Sequence, residues 1–262
     1  MLKSLHTKKS QTRPRDTVLA VIAWLVLAAS ISVAVFAAIK LWETNEMYAQ
    51  GEQYYAQLRT TVALAAGENP MEETIGSENA GIDFAALRAS CPDAIAWLQC
   101  PGTPIDYPIM EASEYSRWLY RLPDSTPNAN GSLFLDYHHS PDFSDRLSVI
   151  YGHNMRSGAM FGSLEGYKRQ DYYDTHPQMW LTTEKERYQI DIIYGCVVDA
   201  GQWRERAFMF EANLESLLAY AAENSTFTAD RAYTDSDRFL VLSTCSYEFD
   251  EARYILIGIM QQ

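Results

Sequence analysis

Two strand-like runs late in the chain carry the residues best suited to chemistry, 238–245 and 253–260. If residues 246–252 join them as an antiparallel hairpin, Cys245 and Arg253 face each other across its mouth. Ser243 then shares a face with Cys245, and Ile255 with Arg253. A thiol beside a guanidinium has two uses. A fixed cation favours the thiolate, which is the nucleophilic form. The planar fork of N–H donors also suits a developing oxyanion. A cysteine at a strand end is more often structural, so the pair alone leaves both readings open.

Nucleophilic catalysis also needs a group that carries protons. Of the five histidines, His6 lies in the basic N-terminal stretch, His138 and His139 fall in a polar loop, and His176 precedes Pro177. His153 follows the apolar run 147–151 through Gly152 and precedes Asn154, Met155, Arg156, Ser157 and Gly158. A histidine at a strand end is well placed to line a groove. Spacing alone does not bring it to Cys245. No zinc-ligand spacing joins His138, His139 and His153, and neither a Gly-x-Ser-x-Gly elbow nor a phosphate loop is present. No metal and no cofactor are expected.

The elements that must position these residues read as short β runs separated by turn signals. Strands are predicted at 96–99, 105–109, 132–135, 147–151, 178–182, 187–198, 238–244 and 253–260, and helices at 84–90, 113–120, 160–168 and 213–223. In the last helix Leu214, Leu217, Leu218 and Ala221 recur at helical spacing, one apolar face. Eight short strands with helices between them favour a closed β-barrel in a mainly β (α+β) domain. Cys91 and Cys100 are separated by an extended run that would hold their sulfurs too far apart for a disulfide. Cys196, inside an apolar run, reads as a core residue.

Ahead of this domain the chain changes character. Between Asp16 and Lys40 lie 23 residues without a charge, enough to cross a bilayer as a helix. The run is longer than a typical signal-peptide core of about 7–15 residues. Lys3, Lys8, Lys9, Arg13 and Arg15 precede it, which predicts a cytoplasmic N-terminus. The expected organisation is a basic tail at 1–16, a membrane anchor at 17–42, a helical stem and linker at 43–81, and a catalytic domain at 82–262. Gly51 is the one weak point in the stem helix. Residues 41–262 carry 15 basic and 33 acidic side chains, about −18, which argues against nucleic-acid binding.

Several segments, taken in order, resemble the sortase family, class B. They are Tyr151-Gly152-His153-Asn154-Met155, Met160-Phe161-Gly162-Ser163-Leu164, and Leu242-Ser243-Thr244-Cys245-Ser246-Tyr247-Glu248-Phe249 followed by Arg253. The stretches 96–108, 131–137 and 171–177 fit the same pattern. The match to the Leu-x-Thr-Cys signature carries Val241 where many members have Thr. The resemblance spans about residues 82–260. It implies an eight-stranded sortase-type barrel with N-terminal helices and a helix-bearing insertion before a late strand.

The same resemblance implies roles. Cys245 becomes the nucleophile, His153 the general acid/base and Arg253 the oxyanion-stabilising residue, with Asn154, Ser243, Thr244 and Ser246 as substrate contacts. It implies a membrane-anchored transpeptidase that cleaves a C-terminal sorting signal after Thr through a thioester. The bound protein is then passed to an amine of peptidoglycan or its precursor. Partners would be sorting-signal-bearing surface proteins, and the catalytic domain would face the cell exterior. Two other readings use the same residues: a cysteine peptidase releasing the acyl group to water, and a non-enzymatic anchored binding domain with a structural Cys245. A papain-like enzyme is disfavoured, because here His precedes Cys and the local papain signature is absent.

Overall fold

The computed structural model describes residues 14–65, 81–114, 116–201, 203 and 210–262. Most of the basic tail and the linker 66–80 lie outside these residues. The chain divides into two compact units, Met1–Met47 and Tyr48–Gln262. Helix α1 (Pro14–Ala65) runs over 52 residues. Within it Val21–Ala63 is long and apolar enough to cross a membrane. In the first unit Trp24, Leu25, Phe36, Leu41 and Trp42 are exposed.

In the second unit the later turns of α1 enter the core through Tyr55, Leu58 and Val62. The Tyr55 hydroxyl donates to the Gly131 carbonyl at 2.6 Å. Gly51 makes a contact here rather than a weakness. A Cβ there would lie 2.4 Å from Asn130 Nδ2. With no side chain in the way, that amide donates to the Tyr48 carbonyl at 3.3 Å. The close approach offsets the roughly 1 kcal/mol that glycine costs a helix interior.

Eight strands form: β1 (Ala94–Gln99), β2 (Asp106–Glu111), β3 (Leu133–Leu135), β4 (Leu147–Tyr151), β5 (Gln178–Thr183), β6 (Arg187–Asp199), β7 (Arg238–Cys245) and β8 (Ala252–Gln261). They close into a barrel in the order β1-β2-β3-β4-β7-β8-β6-β5. The β2–β3 and β4–β7 pairs are parallel and the others antiparallel. Seven of the eight strands place residues in both of two separate clusters, and β5 joins only one, through Met179 and Leu181. On β7, Phe239 and Val241 join one cluster and Leu240 and Leu242 the other. The first cluster is covered by α1, α2 (Phe84–Ser90) and the later helix Phe210–Asn224.

That later helix buries Leu214, Leu217, Leu218 and Ala221, the face read from its spacing. Two other helix expectations are corrected. Over 113–120 the described residues form only a 3-10 turn, Arg117–Tyr120, because the Trp118 indole donates to the Glu111 carbonyl at 2.7 Å and ties the segment to the end of β2. Over 160–168 a 3-10 segment, Gly162–Lys168, begins against the Met155 carbonyl, where only glycine leaves room. Helix α3 (Gln170–Thr175) was not predicted. It buries no side chain, and an apolar period was the only signal sought. The helix Phe210–Asn224 is α4.

Candidate active site

Cys245 closes β7 and Arg253 opens β8, and the two are direct cross-strand partners in the antiparallel register. The Cys245 side chain is exposed. Arg253 is mostly covered, its side chain 20% exposed. Its guanidinium donates to the Ala252 carbonyl at 3.0 Å and reaches the Glu251 carboxylate at 3.5 Å.

His153 arrives from the other side of β7. Strands β4 and β7 run parallel with Tyr151 opposite Ser243. Two residues beyond that pair lie His153 and Cys245. Residues two apart in a strand share a face, so Cys245, at the end of β7, continues the face of Val241, which belongs to the helix-covered cluster. His153, beyond the end of β4, is held against Leu119, which packs on the same cluster. Ile255 and Ile257 put Arg253 on the same face. Barrel pairing thus brings three residues remote in sequence to one end and one side of the sheet.

The crossing at Gly152 is tight. Its N–H donates to the Ser243 carbonyl at 3.2 Å, and its carbonyl accepts from Thr244 Oγ1 at 2.8 Å. A Cβ at this position would sit 2.3 Å from Leu133 Cδ2 and 2.7 Å from Phe161 Cδ2. Beyond it, His153 Nε2 lies 2.6 Å from the Leu119 carbonyl oxygen. A carbonyl can only accept, so Nε2 carries the proton of this bond and Nδ1 is the nitrogen left to exchange one. The exposed Tyr120 ring packs beside the imidazole, with centroids 5.8 Å apart.

The four expected substrate contacts are largely committed to the protein itself. Asn154 Nδ2 donates to the Cys245 carbonyl at 2.8 Å and to Glu165 Oε1 at 2.9 Å. Thr244 is buried on the Gly152 carbonyl. Ser243 is buried, its hydroxyl lacking a hydrogen-bond partner among the described residues. Ser246 is buried and joined to Lys168 and Glu248.

Lys168, Glu165 and Glu248 were not singled out from sequence. Lys168 Nζ lies 2.6 Å from Glu165, 2.5 Å from Glu248 and 2.9 Å from Ser246 Oγ, and 5.4 Å above the Tyr254 ring. Burial pulls the Lys168 pKa down, yet hydrogen bonds to Glu165 and Glu248 outweigh it and hold the ammonium above its ordinary value. Burial likewise works against Glu248, but hydrogen bonds from Lys168 and Ser246 keep its carboxyl below the usual range. Only the i,i+3 pair of Glu165 and Lys168 was visible in the sequence.

The other cysteines are buried and unbridged. Cys91 meets the Tyr54 hydroxyl at 3.3 Å and Cys100 the Tyr167 hydroxyl at 3.6 Å. Burial pushes both thiols up. His138 and His139 line a separate cavity of about 390 Å³ at the start of β4, with Asp145, Arg146 and Leu214. Among the described residues no three His, Cys, Asp or Glu side chains gather as a metal site.

A closed eight-stranded barrel with an exposed thiol, an imidazole and a guanidinium on one face has the form of a cysteine acyl-transfer enzyme. No family model matches the chain. It is 29% identical over 170 residues to Sortase B of Listeria monocytogenes, covering 63% of this chain and 69% of that protein. Sortase B of Staphylococcus aureus is 22% identical over 169 residues, covering 64% and 69%. A solved Staphylococcus aureus sortase B–substrate complex superposes with a TM-score of 0.70 at 20% identity, over 81% of this chain and 97% of that one. The chain resembles the class B sortases in sequence and in fold, and these likenesses support a cysteine transpeptidase.

Proposed function

We propose that Cys245 attacks the peptide carbonyl following a Thr in a C-terminal sorting signal, with His153 protonating the leaving amine and Arg253 stabilising the oxyanion. The bond from carbonyl carbon to Cys245 Sγ forms as the peptide C–N bond breaks, giving a thioester and a free amine. An amine of peptidoglycan or its precursor then attacks the thioester. His153, through Nδ1, takes the proton from that amine, and the thiol is released. Peptide-bond energy is kept in the thioester, so no nucleotide is consumed. One observation carries this reading: Cys245 and Arg253 are cross-strand partners at the end of the barrel to which the β4–β7 pairing brings His153.

The clients in this reading are surface proteins bearing a sorting signal. Helix α1 holds the enzyme in the membrane over residues 17–42, with the basic tail inside the cell and residues 82–262 outside. The charge-free run and the basic residues ahead of it support that orientation. The test is a peptide-library assay on the full chain in detergent, with and without an added amine. Mass spectrometry should find an acyl adduct on Cys245 and an amide product with the amine. Release of free acid alone, with the amine present, would mark a peptidase. No adduct at Cys245 would sink the assignment.

A further inference from the structure

The residues just after the nucleophile are tied down by a chain of polar contacts that never reaches the reacting atoms. Lys168, at the end of the 3-10 segment Gly162–Lys168, lies against both Ser246 and Glu248, which follow Cys245. Ser246 Oγ also donates to Glu248, so Lys168 and these two groups of the short turn satisfy one another. On its other side Lys168 holds Glu165 Oε2, and Glu165 Oε1 accepts from Asn154, whose second N–H goes to the Cys245 carbonyl. The contacts therefore meet Cys245 from both directions, at its own carbonyl and at the residues that follow it. Asn154 is the residue after His153, so the same chain fixes the backbone beside the imidazole.

We propose that Lys168 is a positioning residue: it sets the attitude of Cys245 relative to His153 by bracing both the turn after the nucleophile and, through Glu165 and Asn154, the nucleophile's carbonyl. The proposal rests on the reading of Cys245 as nucleophile. An isolated ion pair at a surface contributes little to anything. Lys168 differs in having its side chain 23% exposed, with three oxygen partners and the Tyr254 ring beneath it. Tyr254 is the cross-strand partner of Thr244, so the ammonium rests on the ladder that presents Cys245 and Arg253. Small displacements matter in such a site, since about 1 Å of misplacement can cost on the order of 100-fold in rate.

The experiment compares wild type, Lys168→Met, Lys168→Arg, Asn154→Ala and the Lys168→Met/Asn154→Ala double variant, each as the full chain in detergent. Measured are kcat and KM on a sorting-signal peptide, the rate of iodoacetamide alkylation at Cys245, and thermal melting. Lys168→Met should lower kcat about tenfold with KM within about twofold, the signature of an effect on geometry rather than binding. Lys168→Arg should recover most of the loss, and the double variant should be no worse than about the poorer single, because both act through one chain. Alkylation at Cys245 should change in Lys168→Met at an unchanged melting temperature. Unchanged kcat and unchanged alkylation in Lys168→Met would overturn the proposal, as would losses that multiply fully in the double variant. Should Lys168→Met fail to fold, Glu248→Gln reads the same contact. If wild type shows no turnover dependent on Cys245, the nucleophile reading has failed, and alkylation rates alone decide whether Lys168 positions the thiol.

Discussion

Cys245 and Arg253 are the last cross-strand pair of β7 and β8, with an exposed thiol on one strand and a largely covered guanidinium on the other. Arg253 donates to the backbone and to Glu251 with part of its fork. The remaining N–H groups stay available for an oxyanion. Arg253→Lys keeps the charge and loses the fork. If the fork is what matters, kcat should fall on the order of 10²–10³-fold in the Lys variant. Near-normal turnover by Arg253→Lys would reduce Arg253 to a nearby charge, and near-normal Arg253→Ala would remove it from the site.

Thiol accessibility gives a second prediction. Cys91, Cys100 and Cys196 are buried, and burial raises the first two thiols. Brief treatment of the folded chain with iodoacetamide should label Cys245 first and abolish turnover. Cys245→Ala should be inactive, whereas Cys196→Ala should retain activity at some loss of stability from the cavity it leaves. Peptide mapping that finds Cys91 or Cys100 labelled first would contradict the packing described.

His153 and the His138–His139 pair lie at opposite ends of β4, the one after Tyr151 and the others lining the cavity at Leu147. Loss of general acid/base help costs roughly 10²–10⁴-fold. His153→Ala should show that loss, and His138→Ala should not. A dispensable His153 would mean that some other group carries the proton.

His139 should instead be read in stability. Burial lowers its pKa, while Asp136 and Asp145 pull the other way and His138 adds to the lowering. A histidine depressed in the folded state contributes fully above its unfolded value of about 6.5 and loses that contribution as pH falls towards the folded value. Denaturant midpoints should therefore decline from pH 7 to below pH 6, and His139→Gln should show less of that decline. An equal decline in both proteins would assign the effect to other groups.

Gly152 has no room for a side chain, with Leu133 and Phe161 on its open side. Gly152→Ala should destabilise the fold by about 1–3 kcal/mol through overpacking. It should also lower kcat, because the shift falls on the peptide that delivers His153. A stable Gly152→Ala protein of normal activity would show that the crossing has slack.

Much of this was legible in the amino-acid order. Short apolar runs bounded by turn residues mark every barrel strand, and the 253–260 and 238–244 runs already imply the Cys245–Arg253 pair. The route by which His153 reaches them was not. It depends on a parallel pairing of β4 with β7, and parallel neighbours leave no short-range turn signal between them. The bracing of Cys245 was equally hidden, since Asn154 and Lys168 act on residues 91 and 78 positions away. Gly51 was misread for a related reason: helix propensity sees a defect where the tertiary contact is Asn130.

The parallel pairing of β4 and β7 also has a consequence for how the enzyme comes into being. A hairpin such as β7–β8 can form from neighbouring residues, but β4 and β7 must find each other across a long stretch of chain that holds β5, β6 and two helices, and closing it costs entropy before any contact repays it. Cys245 can therefore meet Arg253 early in folding, while His153 joins them only when the barrel closes. A chain with only the β7–β8 hairpin formed would hold Cys245 beside Arg253 but apart from His153, and the three would come together in the same step that completes the core.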